Sequence, residues 1–278
     1  MRPVSIPKHI LSCWQGSLTT IQQIDAIKNN YSHLLKGLPN VSIVIPAYNE
    51  EVNILQTLLS LSSNITHYSV EIIVVNNNSK DDTEQLVTAS GVVCVNELKP
   101  GITAARTAGL MAANGKYILN ADADTIYPKD WVELMISPLE SNQVALTYGR
   151  FAFIPVGGTG GRLIYVFYEY ITDVLRRIKK FTKDEAVNVY GFNSGYRREQ
   201  GLIVDAYQHP LGSNEDGYLA LKLRDKGFGK LHRVTNNNAM VWTTDRRIQT
   251  DGGFVKAIGQ RIKNLLWPSK TITLRQDL

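Results

Sequence analysis

Along the first half of the chain the apolar positions fall in short blocks. VSIVIP (41–46), VEIIVVN (70–76), GVVCVN (91–96) and KYILNAD (116–122) are apolar and rich in β-branched residues, and turn-forming residues bound them. Blocks of that length and composition predict buried strands. Helical stretches lie between them: Glu50–Leu61 with Asn49 as its cap, a second opened by Ser79 and Asp82, and an alanine-rich third over Ile102–Ala113 that Asn114-Gly115 stops. Alternation at this spacing predicts right-handed βαβ units and an α/β fold, with a mainly parallel sheet flanked by helices. QVALTYGRFAF (143–153) is expected as a fifth strand.

Past residue 155 the regularity breaks. The pattern predicts a helix over Arg162–Lys180, another over 214–227, a short strand near Ala239–Thr243 and an amphipathic basic helix over Gly253–Trp267. Ahead of Val41 the chain is a polar, irregular lead-in with one helix from about Leu18 to Leu35. The expected division is therefore an N-terminal extension (1–40), one large domain (41–247) and a C-terminal amphipathic tail (248–278).

Composition narrows the picture modestly. A formal net charge of +5 suits anionic ligands or an anionic membrane surface. No basic run or motif calls for a nucleic-acid partner. The two cysteines, Cys13 and Cys94, provide no disulfide framework. Cys94, inside an apolar run, is expected as a buried thiol. The chain shows no convincing signal peptide and no stretch long enough to span a membrane. A cytoplasmic protein is expected, with peripheral contact to the cytoplasmic face of a membrane as an option. That option rests on the basic segments near Arg162–Lys180 and Lys256–Lys263, which could equally be amphipathic helices packed on the sheet.

The candidate chemistry gathers where strands end, because ligands of open α/β sheets bind beyond the carboxyl ends of the strands. Pro46-Ala47-Tyr48-Asn49-Glu50, Asn76-Asn77-Asn78 and Asp122-Ala123-Asp124 would share one rim. Tyr48 offers a flat face for a base. Asp122 and Asp124 repel each other unless a cation lies beside them, and a divalent ion such as Mn²⁺ or Mg²⁺ would answer that need. They could also be turn acids facing water. Glu215-Asp216 opens a helix, so the pair could merely complement the helix dipole, or Asp216 could be a general base. Glu215 would raise the Asp216 pKa and the helix N-terminus would lower it. No P-loop is present, the histidines lack metal-ligand spacing, and Gly157–Gly161 fits a loop or lid better than a phosphate cradle.

In order and spacing, these motifs resemble the inverting family-2 glycosyltransferases of the A-type, Rossmann-like fold, over about Val41 to Arg247. VSIVIPAYNEE is similar to the family's opening strand, in which the residue matching Tyr48 packs on the nucleotide base. KPGITAARTAG followed by ANGKYILNADAD resembles its Arg-bearing helix and Asp-x-Asp. The resemblance implies a nucleotide contact for Arg106, a ribose or sugar contact for Asp122, and a metal on the pyrophosphate for Asp124. It implies an acceptor-side role for Asn193, Arg197 and Arg198 in GFNSGYRRE, and the base for Asp216. Residues 41–125 would form the nucleotide-binding half and 126–247 the acceptor-binding half. Two positions depart from the pattern: Asn77 stands where an aspartate usually reads the base, and Thr107 replaces an asparagine. Arg246 and Arg247 are candidate pyrophosphate ligands or a solvated pair. The implied reaction moves a sugar from a nucleoside-diphosphate sugar to a glycan or lipid-linked hydroxyl, without processivity. A sugar-phosphate nucleotidyltransferase fits the first loop poorly. The alternative is a catalytically silent nucleotide-sugar binder or scaffold, which the Asn76–Asn78 segment keeps open.

Overall fold

The computed structural model describes residues 2–155, 161–182, 184–210 and 213–246, together with Gly259. Arg247, the tail helix expected over 253–267 and the glycines at 157, 158 and 160 lie outside the described residues.

The core is a seven-stranded sheet of order β3-β2-β1-β4-β8-β6-β9. Its strands are β1 (Val41–Ala47), β2 (Val70–Asn76), β3 (Val93–Asn96), β4 (Tyr117–Asn120), β6 (Val144–Tyr148), β8 (Ser194–Arg197) and β9 (Lys230–Arg233). The first four pair in parallel, as do β6 and β9, while β8 runs antiparallel to both its neighbours. All seven residues of β2 are buried, as a strand covered on both faces requires. The period of two sorts the strand residues between two cores. Ile43, Ile45, Ile72, Val74 and Leu119 pack under α2 (Thr20–Leu34), α3 (Ile54–Ser62) and α6 (Trp131–Ile136). Val44, Ile73, Val75 and Ile118 pack under α5 (Ile102–Ala112) and α9 (Glu215–Asp225). The short helices α1 (Lys8–Trp14), α4 (Thr83–Ala89) and α8 (Arg198–Ile203) complete the flanks.

A smaller sheet, β5-β10-β7, joins β5 (Thr125–Ile126), β10 (Val241–Thr244) and β7 (Phe151–Ile154). It settles where the end of the described chain goes. β5 follows Asp124 directly and pairs antiparallel with β10, Thr125 opposite Thr243, so residues 245 and 246 return to the Asp-x-Asp turn. The long helix α7 (Arg162–Thr182) packs Tyr165 and Tyr168 against Phe153 of β7.

Several expectations need correction. The strand expected over 143–153 is two strands in different sheets, broken at Gly149-Arg150. Asn49 does not cap a helix: it sits at φ 53° and its side-chain oxygen accepts from the Lys80 amide, and α3 begins only at Ile54. Cys94 is half-buried rather than buried, because β3 is an edge strand with one face open. The lead-in carries α1 as well as α2, and the short polar strands β8 and β9 had no apolar block to announce them.

Gly109 lets α5 approach the sheet closely. A Cβ there would stand 2.2 Å from a methyl of Val44 and 3.1 Å from one of Val75. Gly109→Ala is expected to cost about 1–3 kcal/mol by overpacking, measured by urea unfolding. Unchanged stability would mean that α5 is not seated as described.

Candidate active site

The centre of the site is a buried arginine. α5 carries Arg106, which is 3% exposed, one turn before Gly109. Its Nη2 donates to Asp122 Oδ1 at 3.2 Å, and its Nη1 donates to the Gly191 carbonyl at 3.3 Å. Its Nε faces Asp216 Oδ1 at 3.7 Å, an ion-pair contact too long for a hydrogen bond. Burial alone would favour the neutral guanidinium, but Asp216 and Asp122 together hold Arg106 charged. Gly191 must lack a side chain here, since a Cβ would fall 2.1 Å from Arg106 Nη2 and 2.5 Å from Asp216 Oδ1.

The Asp-x-Asp turn is fixed from several sides. β4 ends at Asn120, and the Ala121 amide still donates to Val44. The Asp122 amide donates to the Tyr127 hydroxyl, which donates in turn to the Phe192 carbonyl. Thr57 of α3 donates to the Ala123 carbonyl at 2.8 Å. Arg246 reaches Glu50 Oε1 at 2.9 Å and Asp124 Oδ2 at 3.4 Å. Glu50 also accepts from the Asn53 side chain. The turn is thus built for positive charge, with a guanidinium now beside Asp124.

Asp216 lies in the first turn of α9, whose cap is Asn214 accepting from the Gly217 amide at 2.7 Å. Burial drives the Asp216 carboxyl up, Arg106 pulls it back, and Glu215 and Asp122 raise it again, to about 7. The sequence left the contest between Glu215 and the helix terminus open; burial adds to the effect of Glu215, and the carboxyl is raised. Asp216 Oδ1 is buried and accepts no hydrogen bond.

Arg106, Asp122, Ala123, Asp124, Glu215, Asp216, Glu50 and Arg246 therefore come together. Tyr48, at the end of β1, is half-exposed and leaves a ring face available, while Ala47 is buried within the strand beside Pro46. Four other expectations change. Arg197 sits opposite Tyr117, at the start of β4 and so at the rim away from the Asp-x-Asp. It donates to the carbonyls of Val144, Leu139 and Ser141. Arg198 is at the same far rim, its amide bonded to Lys116. Asn193 is buried, accepting from the Trp131 indole and donating to the Arg150 carbonyl. The side chains of Asn193 and Arg197 are thus engaged within the protein.

Asn77 is the fourth. Its Nδ2 donates to the carbonyls of Glu97 and Lys99, each at 2.8 Å, and its Oδ1 accepts from Gly101 at 2.9 Å. It pins the loop that leads into α5. An ionised aspartate could only accept, and would face two carbonyls with no proton between. Asn78, at φ 64°, donates to Leu98 and Glu97 from the next position. The asparagines thus have a structural cause. Tyr127, Thr57 and Gly191 were not singled out from sequence, since nothing in a lone Tyr, Thr or Gly distinguishes these contacts.

A strand-end Asp-x-Asp is thus joined through a buried arginine to a carboxylate in the first turn of a helix, on a mainly parallel sheet. The model of Glycosyl transferase family 2 matches residues 42–200, and the chain belongs to that family. It is 31% identical over 240 residues to glycosyltransferase AglE of Haloferax volcanii, covering 75% of this chain and 76% of the relative. It is 28% identical over 197 residues to the Escherichia coli UDP-Glc:alpha-D-GlcNAc-diphosphoundecaprenol beta-1,3-glucosyltransferase WfgD, covering 69% and 73%. Among solved structures, the mannosyltransferase PcManGT of Pyrobaculum calidifontis, in complex with GDP-Man and Mn²⁺, shares the fold. Its TM-score is 0.56 at 19% identity, over 88% of this chain and 74% of that one. The protein is a glycosyltransferase.

Replacing Arg106 by Leu would leave the buried Asp216 and the half-buried Asp122 without their shared cation. Removing one partner of a buried pair costs about 3–5 kcal/mol, so Arg106→Leu should lower the denaturation midpoint strongly, and Arg106→Leu/Asp216→Leu should recover part of the loss. Additive losses in the double variant would show that the two residues do not interact.

Proposed function

We propose that the chain transfers a sugar from a nucleoside-diphosphate sugar to an acceptor hydroxyl by direct displacement at the anomeric carbon, with Asp216 as general base. The observation that carries this is Asp216 Oδ1: buried, accepting no hydrogen bond, and tied through Arg106 to the Asp-x-Asp that would hold the donor. A base needs an unused lone pair and a pKa near neutrality, and burial raises the Asp216 carboxyl to about 7. Deprotonation of the acceptor hydroxyl would accompany its attack on the face opposite the leaving nucleotide, which inverts the anomeric centre.

Tyr48 would stack on the base, and Arg106 would keep Asp122 and Asp216 in register as charge moves. The residues at the turn fit a divalent cation. Asp124 and Asp122 supply hard oxygen ligands, Glu50 and Asp124 already share a cationic partner, and no third protein ligand gathers among the described residues. Remaining ligands would come from diphosphate oxygens and water, as Mg²⁺ and Mn²⁺ prefer. Such an ion would offset charge building on the departing diphosphate. Residues 41–125 would then serve the donor and 126–247 the acceptor. For the acceptor we favour a lipid-linked sugar, supported by the name of the WfgD relative. The silent-binder alternative loses its motive, because Asn77 and Asn78 are explained by the loop they hold.

The test is a thermal-shift panel of UDP, GDP, CDP and dTDP and their sugars, each with Mn²⁺ or with EDTA. One nucleotide series should stabilise the protein strongly, and only with metal; a flat panel would sink the assignment. Asp216→Asn should keep that shift and lose turnover by about 10²–10⁴-fold. Undiminished turnover would remove Asp216 as base.

A further inference from the structure

The helix α7 presents an apolar stripe to solvent. Leu163, Phe167, Tyr170 and Val174 are 67%, 62%, 65% and 39% exposed, and their spacing of four, three and four residues puts them on one face. The opposite face is occupied: Tyr165, Tyr168, Glu169 and Thr172 are buried. A 21-residue helix that seats one face on the protein and turns aromatic and aliphatic side chains outward on the other has a surface to cover.

The charge on this helix indicates what covers it. Its only two acids, Glu169 and Asp173, are turned inward. Glu169 pairs with Arg2 at 3.0 Å and Arg162 at 2.6 Å, and Asp173 pairs with Arg2 at 2.9 Å and Arg233 at 3.1 Å. The outward face therefore carries no carboxylate. The sequence adds Arg176, Arg177, Lys179 and Lys180 over the last two turns, in a chain of net charge +5. A second copy of this chain would bring the same net positive charge. An anionic bilayer brings the opposite one, together with an interface into which Phe and Tyr side chains partition. Among the described residues no helix is long and apolar enough to cross a membrane.

We infer that α7 is a membrane-docking helix that seats the enzyme on an anionic bilayer through Leu163, Phe167, Tyr170 and Val174. The consequence for acceptor choice rests on the transferase proposal, whereas the docking does not. Tyr165, on the buried face of α7, donates to Asp245, the residue before the Arg246 that touches Asp124 and Glu50. The helix thus reaches the Asp-x-Asp turn through two residues, Asp245 and Arg246. On the transferase proposal, an enzyme seated in this way would draw its acceptor from lipid-linked glycans.

Co-sedimentation of the full chain with phosphatidylcholine vesicles, with and without phosphatidylglycerol, at low salt tests this. Binding to the anionic vesicles should exceed binding to neutral ones at least about tenfold. Phe167→Glu/Tyr170→Glu should abolish it with an unchanged melting temperature; Leu163→Gln/Val174→Gln, a gentler pair, should weaken it. Failure of the wild type to bind anionic vesicles overturns the inference, and so does undiminished binding by both variants. A wild type that sediments as a dimer, does not bind vesicles and becomes monomeric on Phe167→Glu/Tyr170→Glu would make the stripe a contact between copies instead. Thermal shift by donor nucleotide, read on the same samples, separates the two proposals: vesicle binding without any donor shift would count against transferase activity and not against docking.

Discussion

Everything at the site depends on one buried cation held between two carboxylates. Taking a guanidinium out of water costs several kcal/mol, and that cost is recovered only if partners are close and remain charged. Arg106 has Asp122 on one side and Asp216 on the other, with the Gly191 carbonyl beneath. The arrangement joins parts of the chain that are far apart in sequence: a helix of the first half, the turn after β4, and the first turn of α9. Glycines make the room. Gly109 lowers α5 onto β1, and Gly191 leaves space for the guanidinium and for Asp216 together. A site held this way does not have to organise its charges when a donor arrives, and preorganised charge of that kind contributes most to catalysis in water-poor sites.

A second arginine shows how the rim balances its acids. Arg246, returned by the pairing of β10 with β5, lies beside Glu50 and Asp124. It is half-exposed, so under the proposed function it could leave Glu50 and Asp124 to a divalent cation and turn its guanidinium to the diphosphate. Arg106, by contrast, is locked.

Much of this was legible in the sequence, for identifiable reasons. The boundaries of β2 and the start of α5 follow from uninterrupted apolar runs and clear stop residues, and tertiary contacts had nothing to override there. Asp122, Asp124 and Asp216 stood out because paired carboxylates at element ends need an explanation. What failed, failed through direction and partnership. The strand β8 runs antiparallel, so a motif whose glycine end lies beside Arg106 carries its arginines to the opposite rim, where Arg197 ties down three carbonyls. Spacing along a chain does not reveal that reversal. Asn77 was expected at the donor base from its position in a motif; its two Nδ2 protons also tie it to the loop from 97 to 101, a role that the motif did not announce. The two apolar stretches around Gly149 read as one strand because the sheet change lies in backbone geometry, not in composition.

The most direct measurement is the titration of the Asp216 carboxyl in the donor-free protein, followed by carboxyl-carbon NMR with Asp216→Asn to assign the signal. Burial beside Arg106, with Glu215 and Asp122 near, places the midpoint at about 7. The carboxylate form would then be half-populated near neutral pH, and proton acceptance would strengthen as pH rises through that value. A midpoint in the ordinary aspartate range, close to 4, would mean that the pull of Arg106 cancels the effect of burial, and would leave Asp216 without the raised basicity that the account gives it.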